Sequence, residues 1–128
     1  MEKGHIKNDK EVTIFTIDNF LTEDECDYLC EIIEKNNYRS QVAGNGDEAN
    51  AILDSRTSNT STLNDSDPII KMINEQIANE IQVPYENGEI LQGQIYQVGQ
   101  EFKHHHDWFA GDGYTNHCLS SGQRTWTC

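Results

Sequence analysis

Two helix-period stretches, each with its own start signal, stand ahead of an alternating run, and that order commits the chain to a mixed α and β fold. In the first, Thr22 and Glu25 bracket Glu23-Asp24 as a capping box. The Thr22 hydroxyl can accept from an early helix amide while the Glu25 carboxylate reaches back. The acidic first turn suits the positive end of the helix dipole. Cys26, Leu29, Cys30 and Ile33 follow at spacings of three and four, which marks a core-facing stripe. The helix is predicted to run to about residue 35 and to stop at Asn36-Asn37. The second opens at Asp67-Pro68, with proline at the first helical position, where its missing amide costs nothing. Ile69, Ile70, Ile73, Ile77 and Ile81 line one face to about residue 82.

The strands read differently. Residues 11–17 alternate around Val12 and Ile14 until Asp18-Asn19 breaks the pattern. Residues 39–50 are polar, with Gly44-Asn45-Gly46 as a turn or loop. In residues 89–98, the clearest strand, Leu91, Gly93 and Ile95 share one face and Gln92, Gln94 and Tyr96 the other. Gly99 allows a turn, and a second strand is expected over residues 101–109. Residues 110–122 read as a Gly- and Ser-rich loop, and a β-like run begins at residue 123. The result is an α+β arrangement, helices in the first two-thirds and sheet at the end.

Only 35% of the 128 residues are hydrophobic, which implies a thin core or an incomplete one. The net charge of −13 repels nucleic acid and anionic membrane, and excludes both as natural partners. A basic peptide or a small molecule is easier to accommodate. Residues 1–10 read as a frayed polar leader without the apolar segment of a signal peptide, and no stretch reaches membrane-span length. The expected compartment is the cytoplasm. There the four cysteines would be free thiols, buried as small apolar groups rather than paired or holding zinc.

One stretch concentrates chemistry. His104-His105-His106-Asp107 places three imidazoles and a carboxylate in four consecutive positions, followed by Trp108-Phe109. On a strand, His105 and Asp107 would point one way and His104 and His106 the other. A His-x-Asp pair supplies two of the three ligands of a two-histidine, one-carboxylate iron site. The same residues also admit a solvated polar turn. A zinc site built from His104, His106 and cysteines finds no closed spacing. Arg56 lies among the hydroxyls of Ser55-Arg56-Thr57-Ser58, where a guanidinium can grip a carboxylate or a carbonyl or simply face solvent.

Taken together, several segments resemble the prolyl 4-hydroxylase-like branch of the 2-oxoglutarate- and Fe(II)-dependent dioxygenases. They are Asp18-Asn19-Phe20-Leu21 with the capped helix after it, Ser55-Arg56-Thr57-Ser58, and Glu89-Ile90-Leu91-Gln92. Tyr96-Gln97-Val98-Gly99-Gln100, His105-His106-Asp107-Trp108-Phe109 and Gly122-Gln123-Arg124-Thr125 complete the ordered set, across residues 12–128. The resemblance implies a double-stranded β-helix, or jelly roll, with the N-terminal strand and helices packed on its outside. It divides the chain into a leader, 1–10, and a partial dioxygenase domain, 11–128.

It also implies a reaction. Decarboxylation of 2-oxoglutarate to succinate and CO2 is coupled to hydroxylation of a peptidyl residue, classically proline, with ascorbate keeping the iron reduced. By position, His105 and Asp107 resemble iron ligands, and Tyr96 resembles the tyrosine that binds 2-oxoglutarate. Arg56 and Arg124 resemble residues on the substrate side. On charge alone, Arg124 pairs equally well with one of the many carboxylates. The family's distal histidine ligand and its 2-oxoglutarate-binding lysine or arginine fall beyond Cys128, and the loop position of His117 does not match that ligand. The expectation is therefore a hydroxylase fragment, inactive alone, whose sheet and metal site are both half built. The alternative is a non-catalytic peptide- or metal-binding remnant of the same fold.

Overall fold

A computed structural model describes residues 3–8, 13–40, 55–111 and 118–128. The elements run β1 (Lys3–Asn8), β2 (Thr13–Ile17), α1 (Glu23–Lys35), β3 (Tyr38–Arg39), β4 (Asn59–Leu63) and α2 (Pro68–Ile81). A 3-10 turn at Tyr85–Asn87, β5 (Leu91–Ile95) and α3 (Leu119–Ser121) complete them. The strands form two antiparallel sheets, one of β1 and β2 and one in the order β3-β4-β5. The chain is α+β, as its periodicities predict. The Gly44-Asn45-Gly46 turn and His117 lie outside the described residues.

Both helices start where the capping chemistry puts them. Thr22 N donates to Glu25 Oε2 at 2.7 Å and Glu25 N donates to Thr22 Oγ1 at 3.3 Å, closing the capping box. Asp67 caps α2 by accepting from Ile69 N at 2.8 Å and Ile70 N at 3.4 Å. The same carboxylate takes the Tyr28 hydroxyl at 2.5 Å, which ties the middle of α1 to the start of α2. That bond holds the Asp67 carboxyl below its ordinary pKa and raises the Tyr28 phenol. At its other end α2 stops at Gln82, in the left-handed conformation with φ 56°.

Helix α1 lies on β4 and β5. Its inward residues are Tyr28, Leu29, Ile32 and Ile33, not the expected Cys-bearing stripe. Cys26 and Cys30 are exposed, and so is Cys128, which corrects the expectation of buried thiols. The helix is rotated so that its branched and aromatic residues, with more area to bury than a thiol, take the core side. Ile33 sits directly over Gly93, where an added Cβ would collide with the isoleucine side chain. On β5, Leu91, Gly93 and Ile95 face inward and Gln92 and Gln94 outward, as the alternation predicts.

Several expectations fail locally, among them the β-like run from residue 123, which forms no strand among the described residues. Lys3–Asn8 is a strand paired with β2, where the composition suggests a frayed leader. Strand β4 comes from a polar stretch for which no strand is expected, because two of its three buried side chains, Thr60 and Ser61, are hydroxyls and only Leu63 is apolar. Thr60 is satisfied in place: Ser40 Oγ lies 2.9 Å from Ser58 Oγ and 2.6 Å from Thr60 Oγ1, all buried, whereas the buried Ser61 Oγ meets no partner among the described residues. The apolar core beside them is Leu63, Ile70 and Ile73. Finally, residues 101–109 are not a continuous strand. Only Phe102 forms a bridge, to Arg56, and the backbone beyond it is irregular. A strand persists only where a neighbour accepts its ladder bonds. The described sheet ends at β5, and a jelly roll is not seen in it. Among the described residues no helix is long and apolar enough to cross a membrane.

Candidate functional site

The irregular segment after Phe102 still keeps the alternation that a strand would impose. His105 Nε2 and Asp107 Oδ1 face each other at 3.4 Å. His106 turns the other way and stacks on Trp108, ring centroids 4.1 Å apart and planes at 18°. His106 Nδ1 donates to the Trp108 carbonyl at 3.0 Å, which engages it away from the Asp107 side. Both members of the His105–Asp107 pair are about two-fifths exposed, at 41% and 38%, so an ion can reach them from solvent.

Each is restrained by a second contact. His105 Nδ1 donates to the Lys103 carbonyl at 2.8 Å, which leaves the Nε2 lone pair toward Asp107. Asp107 Oδ2 accepts from Thr127 Oγ1 at 2.8 Å, which leaves Oδ1 toward His105. Two donors of this kind at this separation suit neighbouring positions around one divalent ion bound at about 2.1 Å. Among the described residues, no group of three histidine, cysteine or acidic side chains is placed to hold a metal.

Strand-like order is restored after Asp107 by a side chain. Phe109 N donates to Gln123 Oε1 at 2.8 Å, and Gln123 Nε2 donates to the Phe109 carbonyl at 2.9 Å. The glutamine amide thus does for Phe109 what a neighbouring strand would do. Next to it, Arg124 donates to both carboxylate oxygens of Glu89, at 2.5 Å and 2.7 Å. That bond raises the guanidinium pKa further. Arg124 also donates to the Asp107 carbonyl at 3.3 Å and covers the Phe109 ring, 4.6 Å from its centroid. Arg124 is therefore joined to the His105–Asp107 segment through the backbone.

Arg56 is 8% exposed. Its Nε donates to Ser58 Oγ at 3.3 Å and its Nη2 to Thr60 Oγ1 at 3.2 Å, inside the hydroxyl cluster. The guanidinium carbon stands 4.7 Å from the Phe102 ring centroid. Tyr96 stands one residue past β5, exposed, with its hydroxyl donating to Gln94 Oε1 at 2.9 Å. The structure thus gathers His105, Asp107 and Arg124 and links Arg56 to them through Phe102, while Tyr96 bonds back to Gln94 of β5. Sequence reasoning passed over Thr127, Gln123, Glu89 and the contacts of Phe102. Thr127 and Gln123 belong to the β-like run and the Gly-Gln-Arg-Thr block, so their nearness to the His-x-Asp segment was the available signal.

No protein-family model matches the chain. Individual relatives do. The chain is 36% identical over 96 residues to prolyl 4-hydroxylase 2 of Arabidopsis thaliana, a match covering 74% of this chain and 32% of that protein. It is 37% identical over 117 residues to prolyl 4-hydroxylase 1 of the same plant, covering 89% and 40%. Against the probable prolyl 4-hydroxylase 3 the figures are 34% over 113 residues, 86% and 38%. The chain therefore spans about a third to two-fifths of the length of the curated relatives it matches.

Proposed function

Because the chain is homologous to prolyl 4-hydroxylases over most of its length, we propose that it is part of a 2-oxoglutarate- and Fe(II)-dependent dioxygenase that hydroxylates a peptidyl residue, with proline the first candidate. The homology carries the reading, and the facing pair of His105 and Asp107 supports it. The donor set fits the metal: imidazole nitrogen and carboxylate oxygen are ligands that Fe(II) accepts in a two-histidine, one-carboxylate site. Bound iron with 2-oxoglutarate would supply the oxidising power, and ascorbate would keep the metal reduced.

The chain's own residues hold and orient. His105 presents Nε2 because Nδ1 is committed to the Lys103 carbonyl. Asp107 presents Oδ1 because Oδ2 is held by Thr127. The Tyr96 hydroxyl, exposed and one short bond from release, is suited to donate to an oxygen of 2-oxoglutarate. Arg124, steered by Glu89 and held over the Phe109 ring, would border a peptide entering beside the pair. A substrate role for Arg56 rests on the segment resemblance, since its charge is turned into the hydroxyl cluster. In the proposal, the third protein ligand and the cation for 2-oxoglutarate come from sequence beyond these residues, within a completed jelly roll.

The test is succinate formation from 2-oxoglutarate with Fe(II), ascorbate and a proline-rich peptide. It is run on the 128-residue chain and on a version continued through the downstream reading frame. The extended chain is expected to turn over and the short one not. Turnover by the short chain would contradict the half-site reading. No turnover by a folded extended chain would refute the hydroxylase reading and leave the non-catalytic peptide- or metal-binding alternative.

A further inference from the structure

Phe102 plays no part in the mechanism above, yet it touches two residues that concern it. Its ring lies nearly parallel to the His105 imidazole, centroids 3.7 Å apart and planes at 20°. The Arg56 guanidinium stacks on the same ring. Arg56 is anchored in the buried hydroxyl cluster, so a continuous run of contacts leads from that rigid core through Phe102 to His105.

The backbone explains why such a run is needed. Around Phe102 the chain is clamped: Lys103 N donates to the Ser55 carbonyl at 2.9 Å, and Thr57 N to the Glu101 carbonyl at 2.9 Å. Past Lys103 regular pairing stops, so no ladder among the described residues orients His105. Its Nδ1 bond sets the tautomer but leaves the ring free to tilt about that bond. A flat surface at van der Waals distance removes the tilt. Phe102 thus lies within the clamped stretch and lays its ring against the His105 imidazole.

We propose that Phe102 is a positioning residue for His105, holding the imidazole at the angle from which Nε2 and Asp107 Oδ1 share one cation, with Arg56 as its buttress. The proposal rests on the metal-pair reading. It assigns Arg56 a structural task at the metal pair, distinct from contact with substrate.

The test titrates Co(II) alone into the 128-residue chain as wild type, F102Y, F102L and H105A, with circular dichroism as the folding control. F102Y keeps the flat ring and is expected to bind as wild type. F102L keeps apolar bulk without the face, and its affinity should fall roughly tenfold, the lower end of the range for lost outer-shell support. Without metal, the His105 ring protons should resonate upfield in wild type and F102Y, and lose that shift in F102L. Measuring the wild-type shift against the urea-unfolded chain decides the stack even if F102L does not fold. An absent shift, or F102L binding Co(II) as tightly as wild type, would overturn the proposal. Equal binding by wild type and H105A would instead overturn the metal-pair reading, and the proposal with it.

Discussion

Asp107 shows how much one side-chain contact decides at the residue scale. Its carboxylate has two oxygens, and the Thr127 hydroxyl takes one, which presents the other to His105. Replacing Thr127 by valine keeps the shape and removes the donor. Co(II) affinity should then fall about tenfold, with T127S retaining it, as calorimetric titration would show. The pairing of His105 with Asp107 was legible in the sequence because alternation survives even where the strand does not. The partner of Arg124 was legible only as one of many carboxylates, since Glu89 lies 35 residues away and nothing local marks it. Cys26 and Cys30 were misplaced because the spacing rule counted sulfur as equal to isoleucine. A one-position rotation of the helix buries the larger residues instead.

Among the elements, the helices were the most legible, because their start signals are chemical and local. The link between them was not: Tyr28 reaches the Asp67 cap across 39 residues. The folded Asp67 pKa is depressed below its ordinary value of 3.8, chiefly by that phenol. Its contribution to stability is thus fully present above 3.8 and is lost as pH falls through the lower, folded value. Y28F should move the Asp67 titration upward, a shift that carboxyl NMR reads directly; an unchanged titration would remove Tyr28 as the cause. Helix α1 is seated on β5 by the absence of a side chain at Gly93. G93A should therefore cost about 1–3 kcal/mol in urea unfolding, as overpacking does, and would cost nothing if Ile33 could simply turn aside. Strand β4 carries no apolar alternation because much of its buried face is hydroxyl, Thr60 and Ser61 beside Leu63, and hydropathy cannot signal that. The strand predicted over residues 101–109 failed for the opposite reason, a good local pattern that, among the described residues, bridges only at Phe102, to Arg56.

For the whole molecule, the change of period along the chain was enough to give the α+β class, and the ordered segments were enough to point to prolyl 4-hydroxylases. The jelly roll was not legible in the same sense, since it depends on long-range pairings that the described sheets of two and three strands do not include. The small apolar core has a counterpart on the surface. A groove of about 630 Å³ runs between β2, α2 and the C-terminal residues, lined by Ile14, Phe15, Phe20, Ile77, Ile81 and Trp126. Of the four clustered residues, His105 and Asp107 are the two placed to face a metal ion together. Co(II) titration of the chain and of its H104A, H105A, H106A and D107A variants tests this most directly. H105A and D107A are expected to lose binding while H104A and H106A keep it; equal loss from H104A or H106A, or binding that survives in H105A, would refute the assignment of His105 and Asp107.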